Sequence, residues 1–241
     1  MGDGRFLTTR WSVVLRAGKT DPQGQIQEQA REALERLAES YWFPLYAYVR
    51  RRGYDEEAAR DLTQGFFVRL IERHDVSSAS PERGRFRSFL LTALKNFLVN
   101  EEERERALKR GGGRSPVSFD AGEADRKMLE AVDGETPERT FERTWAQSVL
   151  ERALERLRRD YDARQKKELF DALKDELGGG EGTPYAELAA RLGFSEGAIK
   201  VAVHRMRSRY RGHLRQEVAD TVAQAGDVED ELRRLFEALG A

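Results

Sequence analysis

Residues 183–215 read TPYAELAARLGFSEGAIKVAVHRMRSRYRGHLR, and their reading decides the fold. Two helical patterns follow each other across one tight turn at Gly193. Thr183 suits an N-cap, and Pro184 suits the first helical position, where a missing N–H costs nothing. Tyr185, Leu188, Ala189 and Leu192 recur at i, i+3, i+4 and i+7, which predicts one apolar face. Gly193 can adopt the left-handed conformation that closes a helix. Ser195 is a good N-cap for the second helix, and Glu196 suits its positive end. Two helices joined through so short a glycine turn match the helix-turn-helix of DNA-binding proteins.

The second helix carries the chemistry. Ile199, Val201, Ala202, Met206, Tyr210 and Leu214 are expected to face inward. Lys200, His204, Arg205, Arg207, Arg209, Arg211 and Arg215 are left outward or sideways. Cationic side chains behind such a turn suit phosphate and base-edge contacts in a major groove. A basic helix taken alone is more often a solvated face; turn, caps, register and charge together select DNA.

The formal charge of the 241-residue chain is only −1, so a nucleic-acid signal has to come from local segregation. It does. Residues 195–215 hold one Lys and five Arg against one Glu, whereas residues 216–241 hold two Arg against three Asp and four Glu. Charged residues make up 35% of the chain, which favours solvated helices. With no cysteine, disulfides, thiolate catalysis and thiolate metal sites are excluded. His74, His204 and His213 lack metal-ligand spacing, and His204 and His213 read as DNA-facing or solvated. Neither glycine triplet continues into a P-loop, and no nucleophile elbow is present. We therefore expect no enzyme, no cofactor and no metal. The absence of a signal-peptide core or a membrane-length apolar run leads us to expect a cytoplasmic protein.

Strand patterns are nearly absent and Pro is scarce, so the fold is expected to be all-α. Helices are predicted from Phe6 to Leu15 and from Gln25 to about Arg51. The second contains the aromatic run Tyr41–Val49, read as core, and Pro44, expected to bend or restart it. Asp55 should cap a helix running to about Arg73, with Ala58, Leu62, Phe66 and Leu70 inward and Ala59 and Phe67 beside them. A polar loop from Ser77 to Gly84 precedes a helix from Phe86 to about Leu108, which buries Phe89, Leu90, Ala93, Leu94, Phe97 and Leu98. Gly111-Gly112-Gly113 opens a flexible linker containing one short helix at 125–132. Helices from Phe141 to Arg159 and Lys166 to Leu177 then lead to the opening stretch. The domain reading is 1–108, a linker at 109–140, a helix-turn-helix domain at 141–215, and an acidic amphipathic extension at 216–241. The extension has Val218, Val222, Leu232, Leu235, Phe236 and Leu239 on its apolar side. It is expected to mask the basic helix, to pack on the first domain, or to serve as a plain C-terminal cap.

The stretches DLTQGFFVRLIER and FRSFLLTALKNFLVN resemble region two of bacterial RNA polymerase sigma factors of the sigma-70 family. ALERL and residues 183–215 resemble region four, and the two-domain layout resembles the extracytoplasmic-function (ECF) group. The resemblance implies a factor that binds core RNA polymerase and recognises and melts promoter DNA. It places Asp61, Gln64 and Phe67 at the polymerase clamp. Ser77, Ser78, Arg85, Arg87, Lys95 and Asn96 fall at the −10 element. Ser195, Lys200, His204, Arg205, Arg207, Arg209 and Arg211 fall at the −35 element. Arg60 stands where an acid is common before the Asp-Leu-x-Gln motif. Thr63, one turn on, is therefore a candidate phosphosite that would restore negative charge. A Ser/Thr kinase, an anti-sigma factor and the extension remain open as control partners. The alternative is a stand-alone helix-turn-helix regulator with a helical sensor domain. A partner-sequestering interaction protein is the third reading.

Overall fold

Apolar side chains at spacings of three and four run through almost every segment, and the described residues are helical wherever they do. The computed structural model describes residues 28–72, 86–109, 134–178, 183–222 and 224–240. These form eight α-helices, two short 3-10 turns and no strand. The predicted helix at Phe6–Leu15, the loop at Ser77–Gly84 and the short helix at 125–132 lie outside the described residues, as does most of the linker. Two compact units emerge: residues up to Ser148 together with Ala219–Ala241, and Val149–Val218.

In the first unit, α1 (Glu28–Arg51) runs through Pro44 as a single helix. The proline thus does not restart the chain. The aromatic run is core: Tyr41, Leu45, Tyr46, Tyr48 and Val49 are all buried. Tyr41 meets the edge of Phe86 at 5.1 Å between ring centroids and accepts a 3.1 Å hydrogen bond from the indole of Trp145. Burying the indole N–H with that partner avoids the penalty of an orphaned donor. α2 (Glu56–Glu72) begins as expected, because Asp55 Oδ1 accepts the Ala58 N–H at 2.8 Å. Such a cap contributes about 1 kcal/mol. α3 (Phe86–Lys109) sinks Phe86, Leu90, Leu94, Phe97 and Leu98 into the same core.

The start of α4 (Pro137–Asp162) is fastened by ions. Arg51 donates to the Glu135 carbonyl at 2.9 Å, and the Glu135 carboxylate is held by Arg143 and Thr140. Burial pushes that carboxyl up, but the hydrogen bonds from Arg143 and Thr140 outweigh it and leave it below its ordinary value. Lys95 pairs with Glu138 at 2.8 Å, and the Lys95 hydrogen bond lowers that carboxyl too. The C-terminal segment also belongs to this unit. A 3-10 turn (Ala225–Asp227) leads into α8 (Val228–Leu239), which buries Val228, Glu231 and Leu235.

The second unit comprises the later turns of α4, α5 (Lys167–Leu173), a 3-10 segment (Lys174–Gly178), α6 (Tyr185–Leu192) and α7 (Glu196–Ala219). Leu157, Tyr161, Phe170, Leu173, Leu188, Ala189, Ile199, Val203 and Met206 close one core. At its edge the buried Glu217 is clamped by Arg152 at 2.9 Å and Arg156 at 2.5 Å. Tyr210 donates to the Leu150 carbonyl at 3.3 Å, and burial pushes its phenol up. These contacts set the outward face of α7.

Candidate nucleic-acid and polymerase interfaces

α6 starts one residue later than its caps suggest. Pro184 itself is the N-cap, in extended geometry, and its carbonyl accepts from Glu187 and Leu188. No side chain caps this end, so Thr183 does not play that part. Gly193 closes α6 at φ 70°, a left-handed value that costs a residue with a Cβ about 1 kcal/mol or more. The Phe194 N–H returns to the Ala189 carbonyl at 3.0 Å. Ser195 then caps α7, its Oγ accepting the Ala198 N–H at 3.2 Å.

Along α7 the buried register is Ile199, Val203, Met206 and Leu214, with Ala202 and Tyr210 packed beside it. Val201 does not belong to it and is 49% exposed. Two residues of helix turn the chain by about 200°, so Ile199 and Val201 cannot share a face. Val203, one turn after Ile199, takes the inward place instead.

The exposed side of α7 carries Lys200, His204, Arg205 and Arg211. Glu196 meets Lys200 at 2.8 Å and raises the lysine above its ordinary value. The pair keeps an ammonium at the mouth of the turn. Other predicted contacts have internal duties. Arg207 is half-buried and donates to the Glu176 carbonyl at 2.9 and 2.5 Å, which closes the end of the 3-10 segment. Its guanidinium thus ties α7 to the 3-10 segment. The guanidinium of Arg209 lies 5.6 Å from the centroid of Tyr161. His213 is partly buried, and its Nε2 lies 2.9 Å from Asp160 Oδ2.

On α2, Asp61 and Gln64 are exposed, whereas Phe67 is buried. Val68 is exposed beside them, seven residues after Asp61, and adds an apolar element to that face. Arg60 bonds to Glu56 one turn back at 2.8 Å. Thr63 has none of this exposure. It is 0% exposed, and its Oγ1 donates to the Ala59 carbonyl at 2.7 Å. Ala59, Thr63, Phe66, Phe67 and Leu70 form the buried register, so the candidate phosphosite points into the core. A dianionic phosphate has no place there in the folded helix.

Of the residues expected at the −10 element, Ser77, Ser78 and Arg85 lie outside the described residues. Asn96 is exposed and Lys95 is half-exposed beside Glu138. Arg87 is only 4% exposed. It pairs with Glu142 of α4, and its Nε lies 2.7 Å from Oε1 of Glu231 on α8, itself 0% exposed. The guanidinium also stacks over Trp145, 4.2 Å from the ring centroid. In this arrangement Arg87 is an internal ion and not a surface contact.

A sequence model of the ECF sigma factor family matches residues 8–216, most of the chain. The chain belongs to the ECF sigma factor family. Factors of this family bind RNA polymerase and direct promoter-specific initiation. No curated protein and no solved structure matches the chain. No helix among the described residues is long and apolar enough to cross a membrane. The match ends before the segment that reaches Arg87, so in this ECF sigma factor Glu231 lies outside the family pattern. Charge counting missed the Arg87–Glu231 pair. A finer signal was there: Glu231 falls between Val228 and Leu235 on an apolar stripe, and Arg87 falls in register with Leu90 and Leu94. A charge placed on a buried stripe calls for an opposite charge on the element that covers it.

Proposed function

We propose that this ECF sigma factor holds core RNA polymerase through the outward face of α2 and reads the −35 element with α7. Asp61 and Gln64 supply polar contacts to the polymerase, and Phe67 shapes α2 from beneath. Lys200, His204, Arg205 and Arg211 meet phosphates and base edges, with Ser195 at the helix start and Arg209 beside them. Lys95 and Asn96 lie towards the melted −10 strand. The observation that carries the reading is the α6–α7 geometry. A left-handed glycine turn presents the first turns of a capped basic helix, with its apolar register fully engaged behind it. Orphan N–H groups and cations at such an end suit a polyanion.

Control through Thr63 needs α2 to open before a kinase can reach the hydroxyl. The buried hydrogen bond argues for a folding role for this residue.

Run-off transcription with purified core polymerase on a library of genomic promoter fragments tests the proposal. Addition of the chain should select a subset of fragments, and Asp61→Lys should weaken core binding while leaving the helical content intact. Transcription that is equally efficient and unselective without the chain would refute it.

A further inference from the structure

The start of α3 is where this reading brings promoter DNA, and the chain's own C-terminal segment already occupies it. Two contacts make the occupancy, and two carboxylates of α4 complete the surroundings. Phe86 opens α3, and its backbone N–H points to the Thr221 carbonyl at 3.4 Å. The first N–H groups of a helix have no partner within it and favour anionic or carbonyl oxygens. Arg87 follows, and Glu231 of α8 lies against its guanidinium, with Nε to Oε1 at 2.7 Å and Nη2 to Oε2 at 3.3 Å. Glu142 takes another edge of the same guanidinium. One helical turn past Leu91, Lys95 meets Glu138.

Each cation on this side of α3 therefore faces a carboxylate. Arginine binds carboxylate and phosphate through the same donors, so Glu231, hydrogen-bonded to Nη2 at 3.3 Å and with its other oxygen at ion-pair distance from Nε, takes the position a backbone phosphate would take. A carboxylate buried completely on a helix with an apolar stripe is costly unless its partner is in place. α8 thus docks at this position and not at a merely apolar one. Residues 219–240 also lie beyond the end of the family match.

We propose that residues 219–240 are a tethered competitor for the promoter strand. Glu231 stands in for a DNA phosphate at Arg87, and the −10 strand gains that arginine only when α8 leaves. The proposal rests on the reading of the chain as a promoter-directed factor. It adds a closed state in which Arg87 is covered while Asn96 stays exposed and Lys95 half-exposed.

The test uses the full chain assembled with core polymerase. The probe is a single-stranded oligonucleotide carrying the non-template −10 strand of a promoter selected in the run-off assay, at one fixed salt concentration. Glu231→Gln keeps the side-chain shape and removes the charge. It should bind the strand about tenfold tighter, the factor that ~1.4 kcal/mol lost from the closed state gives. Glu237→Gln, exposed on the same helix, should leave affinity unchanged. Amide hydrogen exchange of residues 219–240 in the unmodified chain should rise when the strand binds, and this readout remains if the variant does not fold. Unchanged affinity of a folded Glu231→Gln, with tail amides equally protected in the strand-bound complex, overturns the competitor. The promoter-factor reading survives that result if run-off transcription still selects promoters. A chain that never binds core polymerase overturns both.

Discussion

Two basic surfaces of this ECF sigma factor meet opposite fates. On α7, Lys200, His204, Arg205 and Arg211 stay exposed behind the Gly193 turn. On α3, Arg87 is enclosed by Glu142, Glu231 and Trp145, and Lys95 is paired with Glu138. The residue types are the same and the local helix is the same. What differs is what lies across from them. The apolar register of α7 is fully engaged by its own core, and its polar side faces away. The polar residue at the head of α3 sits within an apolar register, and another helix covers it. Basic residues on these two helices therefore stay exposed only where the opposite register is already satisfied.

The comparison breaks most visibly at Arg87. Arg87→Ala leaves Glu231 buried without its main counter-ion and should cost about 3–5 kcal/mol of stability in urea unfolding, as buried pairs do when one partner is removed. If Arg87 were a surface contact, stability would stay within about 0.5 kcal/mol. Thr63→Glu comes next. It puts a charge into the α2 core and should destabilise the fold by more than about 2 kcal/mol, whereas Thr63→Val should cost about 1–2 kcal/mol for the lost hydrogen bond. Enhanced polymerase binding by a stable Thr63→Glu chain would restore the exposed-switch reading.

Arg205 and Arg207 sharpen the comparison within one helix. Arg205→Ala should weaken promoter DNA binding by about 1–3 kcal/mol in fluorescence anisotropy and leave the unfolding midpoint in place. Arg207→Ala should instead lower stability by about 1–2 kcal/mol, since it frees the Glu176 carbonyl, with only a minor effect on the salt dependence of DNA binding. The smallest effect is on pH. Glu135 and Glu138 are both held below the ordinary glutamate range, chiefly by hydrogen bonds from Arg143 and Thr140 in the first case and from Lys95 in the second. Groups depressed in the folded state contribute stability above their unfolded pKa, and lose it as pH falls through the folded one. Thermal stability of the chain should therefore hold above about pH 4.5 and decline below it, and Lys95→Met should flatten the part of that decline due to Glu138.

Much of the candidate site was legible along the chain. Gly193, Ser195 and the Tyr185–Leu192 face could be read because turn geometry, caps and period depend on neighbours within one or two turns. Asp55 was legible for the same reason. The inward side of α7 was less legible: Val201 and Val203 are equally apolar, and only the 100° advance per residue, carried on from Ile199, puts Val203 inside and Val201 outside. Thr63 was misjudged in a related way. It is polar by type, but its place one turn after Ala59 and one turn before Phe67 puts it on the buried register.

By itself the sequence determined an all-α chain, the helix-turn-helix with its glycine turn, and a resemblance to the ECF sigma factor family through the order of its two motif groups. The helices and the turn follow from local period, capping and composition, and the family from the match over residues 8–216. Only the tertiary structure decided which ions face water. Arg87 and Glu231 are 144 positions apart, as are no two partners within a helix. Their pairing depends on how α3, α4 and α8 close over one core. Desolvation is a property of that closure, and no stretch of the chain read alone contains it.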